Sequence, residues 1–178
     1  SACLVGSEMC IRDSCASAGG SQSRDLDLKE LCTEEQVFQY ADFEWGTDSE
    51  QLFKQSSLKF DEKDLGQGDE SSTKTYESKE KFSLENAESN MDLEFSDGQL
   101  SQVSFTFDIE QDANTWIQKE VDELNSLYGG GIATGLGNQI YQWQGEQDTV
   151  LQLTAFTEGD ESATVILSVA SMEYSIGS

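Results

Sequence analysis

Met91-Asp92-Leu93-Glu94-Phe95-Ser96-Asp97-Gly98-Gln99-Leu100-Ser101-Gln102-Val103-Ser104-Phe105-Thr106-Phe107 is the stretch that decides the fold class. Met91, Leu93 and Phe95 alternate with Asp92 and Glu94. Val103, Phe105 and Phe107 alternate with Ser104 and Thr106. A period of two puts the apolar set on one face of a strand and the polar set on the other. Between the two runs, Asp97-Gly98 tolerates the positive φ values of a type I′ turn. The stretch therefore predicts an antiparallel hairpin with one buried face.

Downstream the period changes. Ile117, Val121, Leu124 and Tyr128 recur at helical spacing, with Trp116 and Leu127 widening the stripe. This predicts a helix from about Asp112 or Ala113 that ends at Gly129, a natural C-cap. After the Gly-rich run 129–137, alternation returns at Tyr141 and Trp143, at Leu151, Leu153 and Ala155, and at Val165, Leu167 and Val169, which would close the sheet. Upstream, Phe82 and Leu84 sit two apart, and 61–81 reads as loop or exposed strand broken by Gly66 and Gly68. Thr47-Asp48-Ser49-Glu50 has the capping-box pattern and would open a helix over about 48–56 with Leu52 and Phe53 inward. The resulting order is helix, three strands, helix, three strands. The fold class is α+β, two diverged helix-plus-three-strand units with antiparallel meanders, one over 37–108 and the other over 109–178.

Before residue 37 the pattern fails. Residues 1–14 resemble a translated sequencing-adapter scar of the kind found at the ends of metagenomic reading frames, and residues 15–36 read as a flexible Ser/Gly and then acidic tail. Cys15 precedes small polar residues, as at the mature start of a bacterial lipoprotein, and is the lipid-anchor candidate. Arg12-Asp13-Ser14 lacks the small-residue pattern expected before such a cysteine. Cys32 has no second cysteine nearby and reads as a reduced thiol in a mobile segment, although a bridge to Cys15 is the alternative.

Charge narrows the function classes. The chain carries 35 acids and 10 bases, a net charge of −25. Residues 82–178 hold 17 acids against a single base, Lys119. Such a field repels phosphates, which argues against nucleic acid and against a membrane except through a lipid on Cys15. Solubility and colloidal repulsion account for such a field, and a basic protein partner or divalent cations are the sharper alternative. There is no His, so Ser-His and Cys-His catalysis is excluded. Ser78-Lys79 lies in the charged stretch, where solvation accounts for it. No apolar run approaches the ~18 residues that span a bilayer. The Gly-rich run lacks the Gly-Lys-Ser/Thr ending of a phosphate loop and follows a helix instead of preceding one. Asp108, Glu110 and Asp112 alternate like the start of a Ca²⁺ loop. Ala113 and Lys119 stand where Gly and Glu are required, so the three acids are expected to cap the second helix and to be low-affinity Ca²⁺ candidates at most. No cofactor is implied. Trp45 and Trp143 border apolar runs; a role in the core or at its edge competes with one on an interaction surface.

Phe43-Glu44-Trp45-Gly46-Thr47 before a short helix, Phe95-x-x-Gly98-x-Leu100 in a hairpin, Leu127-Tyr128-Gly129 ending a helix and the lone Trp143 together resemble the tandem α/β folds of the β-lactamase inhibitory protein class. The related small envelope lipoproteins that assist outer-membrane assembly share this likeness, which covers about residues 40–172. It implies a protein-binding domain without catalysis. The expectation is an extracytoplasmic, lipid-anchored, non-catalytic interaction domain of a bacterial envelope. A soluble acidic inhibitor or decoy of a cationic protein and a small carboxylate-dependent hydrolase are the rivals.

Overall fold

Phe95 and Leu100 face each other across Asp97-Gly98, whose φ values of 50° and 81° are both positive, as the type I′ turn requires. This is the hairpin of the computed structural model, which describes residues 23–64, 72–134, 139–159 and 161–175. Its strands are β4 (Ala87–Ser96) and β5 (Gln99–Ile109). The remaining strands are β1 (Arg24–Asp25), β2 (Phe60–Lys63), β3 (Thr73–Leu84), β6 (Ile132–Thr134), β7 (Gln139–Gln144), β8 (Thr149–Glu158) and β9 (Ser162–Ser171). The helices are α1 (Ser49–Gln55), α2 (Ala113–Tyr128) and the short α3 (Met172–Ser175), with a 3-10 turn over Leu28–Leu31.

All nine strands of the described residues belong to one sheet, in the order β1-β3-β4-β5-β9-β8-β7-β6, with β2 also paired to β3. The protein is thus a mixed α+β fold built on a single multi-stranded sheet. Each longer helix is followed by four strands, not three. The extra ones, β2 and β6, are short, and every residue of β6 is exposed, so neither carries the apolar alternation that marks a strand in sequence. β9 does not close the sheet. It lies in the middle, antiparallel to β5 from Gln102↔Ala170 to Ile109↔Ala163, and there it joins the two halves.

One face of the sheet is dry. Phe82, Met91, Leu93, Phe95, Val103, Phe105, Phe107, Leu151, Leu153, Val165, Leu167 and Val169 are buried with Ile117, Val121 and Leu124 of α2 in one cluster. Tyr40, Phe82 and Phe105 meet edge to face at its centre, with ring centroids 5.3–6.1 Å apart. Order begins well before residue 37. Leu26, Leu28 and Leu31 are buried in the same cluster, and the Tyr128 hydroxyl donates to the Leu28 carbonyl. Polar residues surround these three leucines in sequence, so their burial leaves no periodic signal. Cys32 is correspondingly part of the fold, bridged to Phe38 and half-buried. Residues 1–22, with Cys15 and the adapter-like stretch, lie outside the described residues.

Two local readings change. Asp48, not Thr47, caps α1, its side chain accepting from the Gln51 N–H at 2.9 Å. The 61–81 stretch, read as loop or exposed strand, is largely strand, in keeping with the second of those alternatives, with 65–71 outside the described residues. Ser78 within it is buried at an irregularity where β3 shifts register against β4. Its hydroxyl accepts from the Met91 N–H and donates to the Glu80 carbonyl, both at 2.8 Å. Ser78 is therefore a backbone plug and not a solvated residue.

Candidate interaction face

Among the described residues no layer of helices covers the other face of the sheet. Because side chains alternate along each strand, register fixes what stands beside what. One row reads Asp61, Glu77, Asp92, Ser104, Ser168, Gln152, Gln142 from β2 through β3, β4, β5, β9 and β8 to β7. The next row runs Thr106, Ile166, Thr154, Ile140. The face thus divides into two wings.

On the β2–β4 wing, acids and lysines interlock. Lys63 Nζ lies 2.8–2.9 Å from both carboxylate oxygens of Asp92 and 2.9 Å from Glu77 Oε1. Lys79 pairs with Asp61 at 2.8 Å, while the Lys74–Glu62 pair, at 3.1 Å, lies on the other side of β2 and β3, in register with Phe95 and Tyr76. Burial works against the Lys63 charge, but the Asp92 and Glu77 partners outweigh it and raise the amine above its usual range. Glu94, at the boundary with β5, is pushed up by burial.

On the β5–β9–β8–β7 wing, no charged side chain occurs in Gln99–Phe107, Gln139–Gln144, Thr149–Thr157 or Ser162–Ser171. Its open side presents hydroxyls, amides and a few apolar groups. Gln152 Nε2 donates to Thr154 Oγ1 at 2.9 Å. Phe156 is 43% exposed, and Ile132 on the adjoining edge strand is 62% exposed. The acids that border this wing lie at or just beyond the strand ends, Asp108 near the end of β5 and Glu158 as the last residue of β8. Asp108, Glu110, Asp112, Glu158 and Glu161 stand at one end, and Glu146, Asp148 and Glu173 at the other. Strand spacing and rise make the neutral area about 20 Å across and about 30 Å along.

The residues singled out in the sequence behave differently. Trp143 is buried at 3% exposure, its indole N–H donating to Asn125 Oδ1 and the Gly129 carbonyl, so it belongs to the core and not to a binding surface. Trp45 is half-buried and donates to the Phe38 carbonyl at 2.9 Å. Asp108 accepts from the Thr164 hydroxyl at 2.9 Å. Asp112 occupies the N-cap of α2 at φ 52° without a side-chain hydrogen bond, so the expected capping role fails. Among the described residues no group of three His, Cys, Asp or Glu side chains is placed to hold a metal ion.

Carboxylate-dependent hydrolysis needs two converging carboxylates in a cleft, one of them with a raised pKa. A groove of about 550 Å³ is lined by Asp25, Asp27, Glu85, Glu88 and Glu123. The carboxyl whose pKa is raised far, to about 7, is Glu120 on α2; burial is the main cause and Glu123 and Glu85 add to it. Glu120 is 1% exposed, neither oxygen has a hydrogen-bond partner, and it does not line the groove. The acid with the shifted pKa and the accessible acids are thus separate. Sequence reasoning missed both Glu120 and the charge-free wing. The latter had a signal, the charge-free runs 99–107, 149–157 and 162–171, which is hidden when charge is counted by halves of the chain. Compared with protein-family models, with curated proteins and with solved structures, the chain matches none.

Proposed function

We propose that this protein is a non-catalytic protein-interaction domain and that the charge-free wing of the open sheet face is its binding surface. One observation carries the reading. A chain with 35 acids keeps every charge off a contiguous open area that no other part of the described fold covers. Solubility alone would distribute acids over any solvated face. The centre of a protein interface is instead depleted of charge and ringed by polar and charged groups. With its acidic rim the area approaches the roughly 800 Å² per partner of a standard complex.

The wider setting is part of the same proposal. Cys15 would carry a lipid that anchors the domain extracytoplasmically at a bacterial envelope, and the partner is a basic protein. The two runs of helix followed by a four-stranded meander, meeting at β5 and β9, support descent from a duplicated unit. A soluble inhibitor of a cationic protein would use the same face without the anchor.

The test is capture from envelope and extracellular fractions by the wild-type chain and, separately, by Gln152→Glu and by Ser168→Glu, each of which places one acid in the middle of the neutral wing without setting two acids opposite each other. Loss of the specifically retained protein by about tenfold or more is expected, with the thermal midpoint unchanged. Retention of the same protein to the same extent would remove the wing as the binding surface.

A further inference from the structure

The position of the acids around the neutral wing specifies the partner further. We infer that it presents a neutral centre flanked by two basic clusters about 30 Å apart, one for each end of strands β8 and β9. This rests on the wing being the binding surface.

The two ends are separate electrostatic sites. At one, Glu158 ends β8, Asp108 stands on the neighbouring stretch of β5, and Glu161 sits in the turn before β9. At the other, Glu146 and Asp148 form the turn into β8, and Glu173 follows β9. The ten residues of β8 separate them by about 30 Å at the ordinary strand rise. That distance exceeds the Debye length of about 8 Å at physiological salt, so a cationic cluster at one end does not sense the other. A partner with a single basic patch would gain from one end only. A partner with basic groups at both ends gains from both and is held in register along the strands. A second copy of this chain is a poor occupant, because face-to-face pairing would bring together two rims of the same sign.

A synthetic helical peptide of about 20 residues spans about 30 Å. One version carries lysine clusters at both ends of a Gln/Ser/Leu centre; the control has the same composition with all lysines at one end. Titration into the full chain, followed by fluorescence anisotropy and by backbone amide shifts, should show the two-ended peptide binding about tenfold tighter at physiological salt, where each end is screened from the other. Its shifts should fall on β7, β8 and β9. Glu158→Gln/Glu161→Gln and Glu146→Gln/Asp148→Asn should each weaken it roughly fivefold and leave the one-ended peptide sensitive to only one of the two pairs. Equal affinity for the two peptides, binding of neither, or shifts confined to β2–β4 would overturn the inference. So would a concentration-dependent dimer in sedimentation without peptide. If capture of the natural partner depends on the wing while the two peptides bind equally, the two-ended partner fails and the interaction domain stands.

Discussion

The two wings of the open face share one sheet, one register and one strongly acidic chain, yet they solve the problem of a solvated β surface in opposite ways. On the β2–β4 wing Glu77 stands directly opposite Asp92, a like-charge pair that destabilises a sheet unless a cation intervenes. Lys63 intervenes, reaching both. On the β5–β9–β8–β7 wing the same row continues as Ser104, Ser168, Gln152 and Gln142 and needs no counter-ion. The difference teaches that net charge says little about where charge is tolerated. The charged wing is built to face water, and the neutral wing is one from which charge has been kept away.

The largest effect should come from the helix that covers the dry side of the neutral wing. α2 packs on β8 and β9, and its Lys119 forms an ion pair with Glu85 at the turn of the charged wing. The neighbouring Glu120 has its pKa raised to about 7. A carboxyl raised in the folded state stabilises fully below its unfolded value near 4.5 and loses that contribution as pH rises through about 7. The fold should therefore lose on the order of 3 kcal/mol from this group between about pH 4.5 and about pH 8. Glu120→Gln should not lose it and should be the more stable protein at about pH 8. Urea denaturation of both chains across that range reads the difference directly; parallel pH curves would mean that Glu120 is solvated when charged.

Turns come next. Gly98 joins β4 to β5 and Gly159 follows β8, at φ 81° and 75°, and a Cβ at either position would meet nothing within 4 Å. Gly98→Val and Gly159→Val should each cost roughly 1–3 kcal/mol through backbone strain alone, read by urea denaturation. A neutral result at Gly98 would remove the tight turn on which the hairpin assignment depends.

Much of this was legible in the sequence, and the reason for the rest is physical. The β4–β5 hairpin and α2 were legible because Met91 to Phe107 and Ile117 to Tyr128 carry their own period and their own punctuation. Leu26, Leu28 and Leu31 were not, since a segment laid across a core buries isolated residues without a repeat. Glu120 was not, because a charged residue on an apolar stripe reads as an interruption. The charge-free runs could be read one by one, but the wing they form could not, because it exists only when β9 is placed between β5 and β8, a non-local pairing.

Smaller effects separate the wings. Lys63→Met leaves Glu77 and Asp92 facing each other on partly buried ground and should cost about 1–2 kcal/mol, whereas Lys74→Met, at an exposed pair, should cost under about 0.5 kcal/mol. Equal costs in thermal denaturation would show that the interlocked charges are only decorative. Smallest of all, Ser168→Glu should change stability by less than about 0.5 kcal/mol, since it adds a charge to an open face without removing a contact.

The central claim is that the neutral wing, and not the charged one, meets the partner. Site-resolved photo-crosslinking tests it most directly, with a photoreactive residue placed at Gln152 in one chain and at Lys79 in another, each exposed to the same envelope fraction. The account predicts a discrete adduct from position 152 and none above background from position 79. An adduct from position 79 with none from position 152 would contradict it.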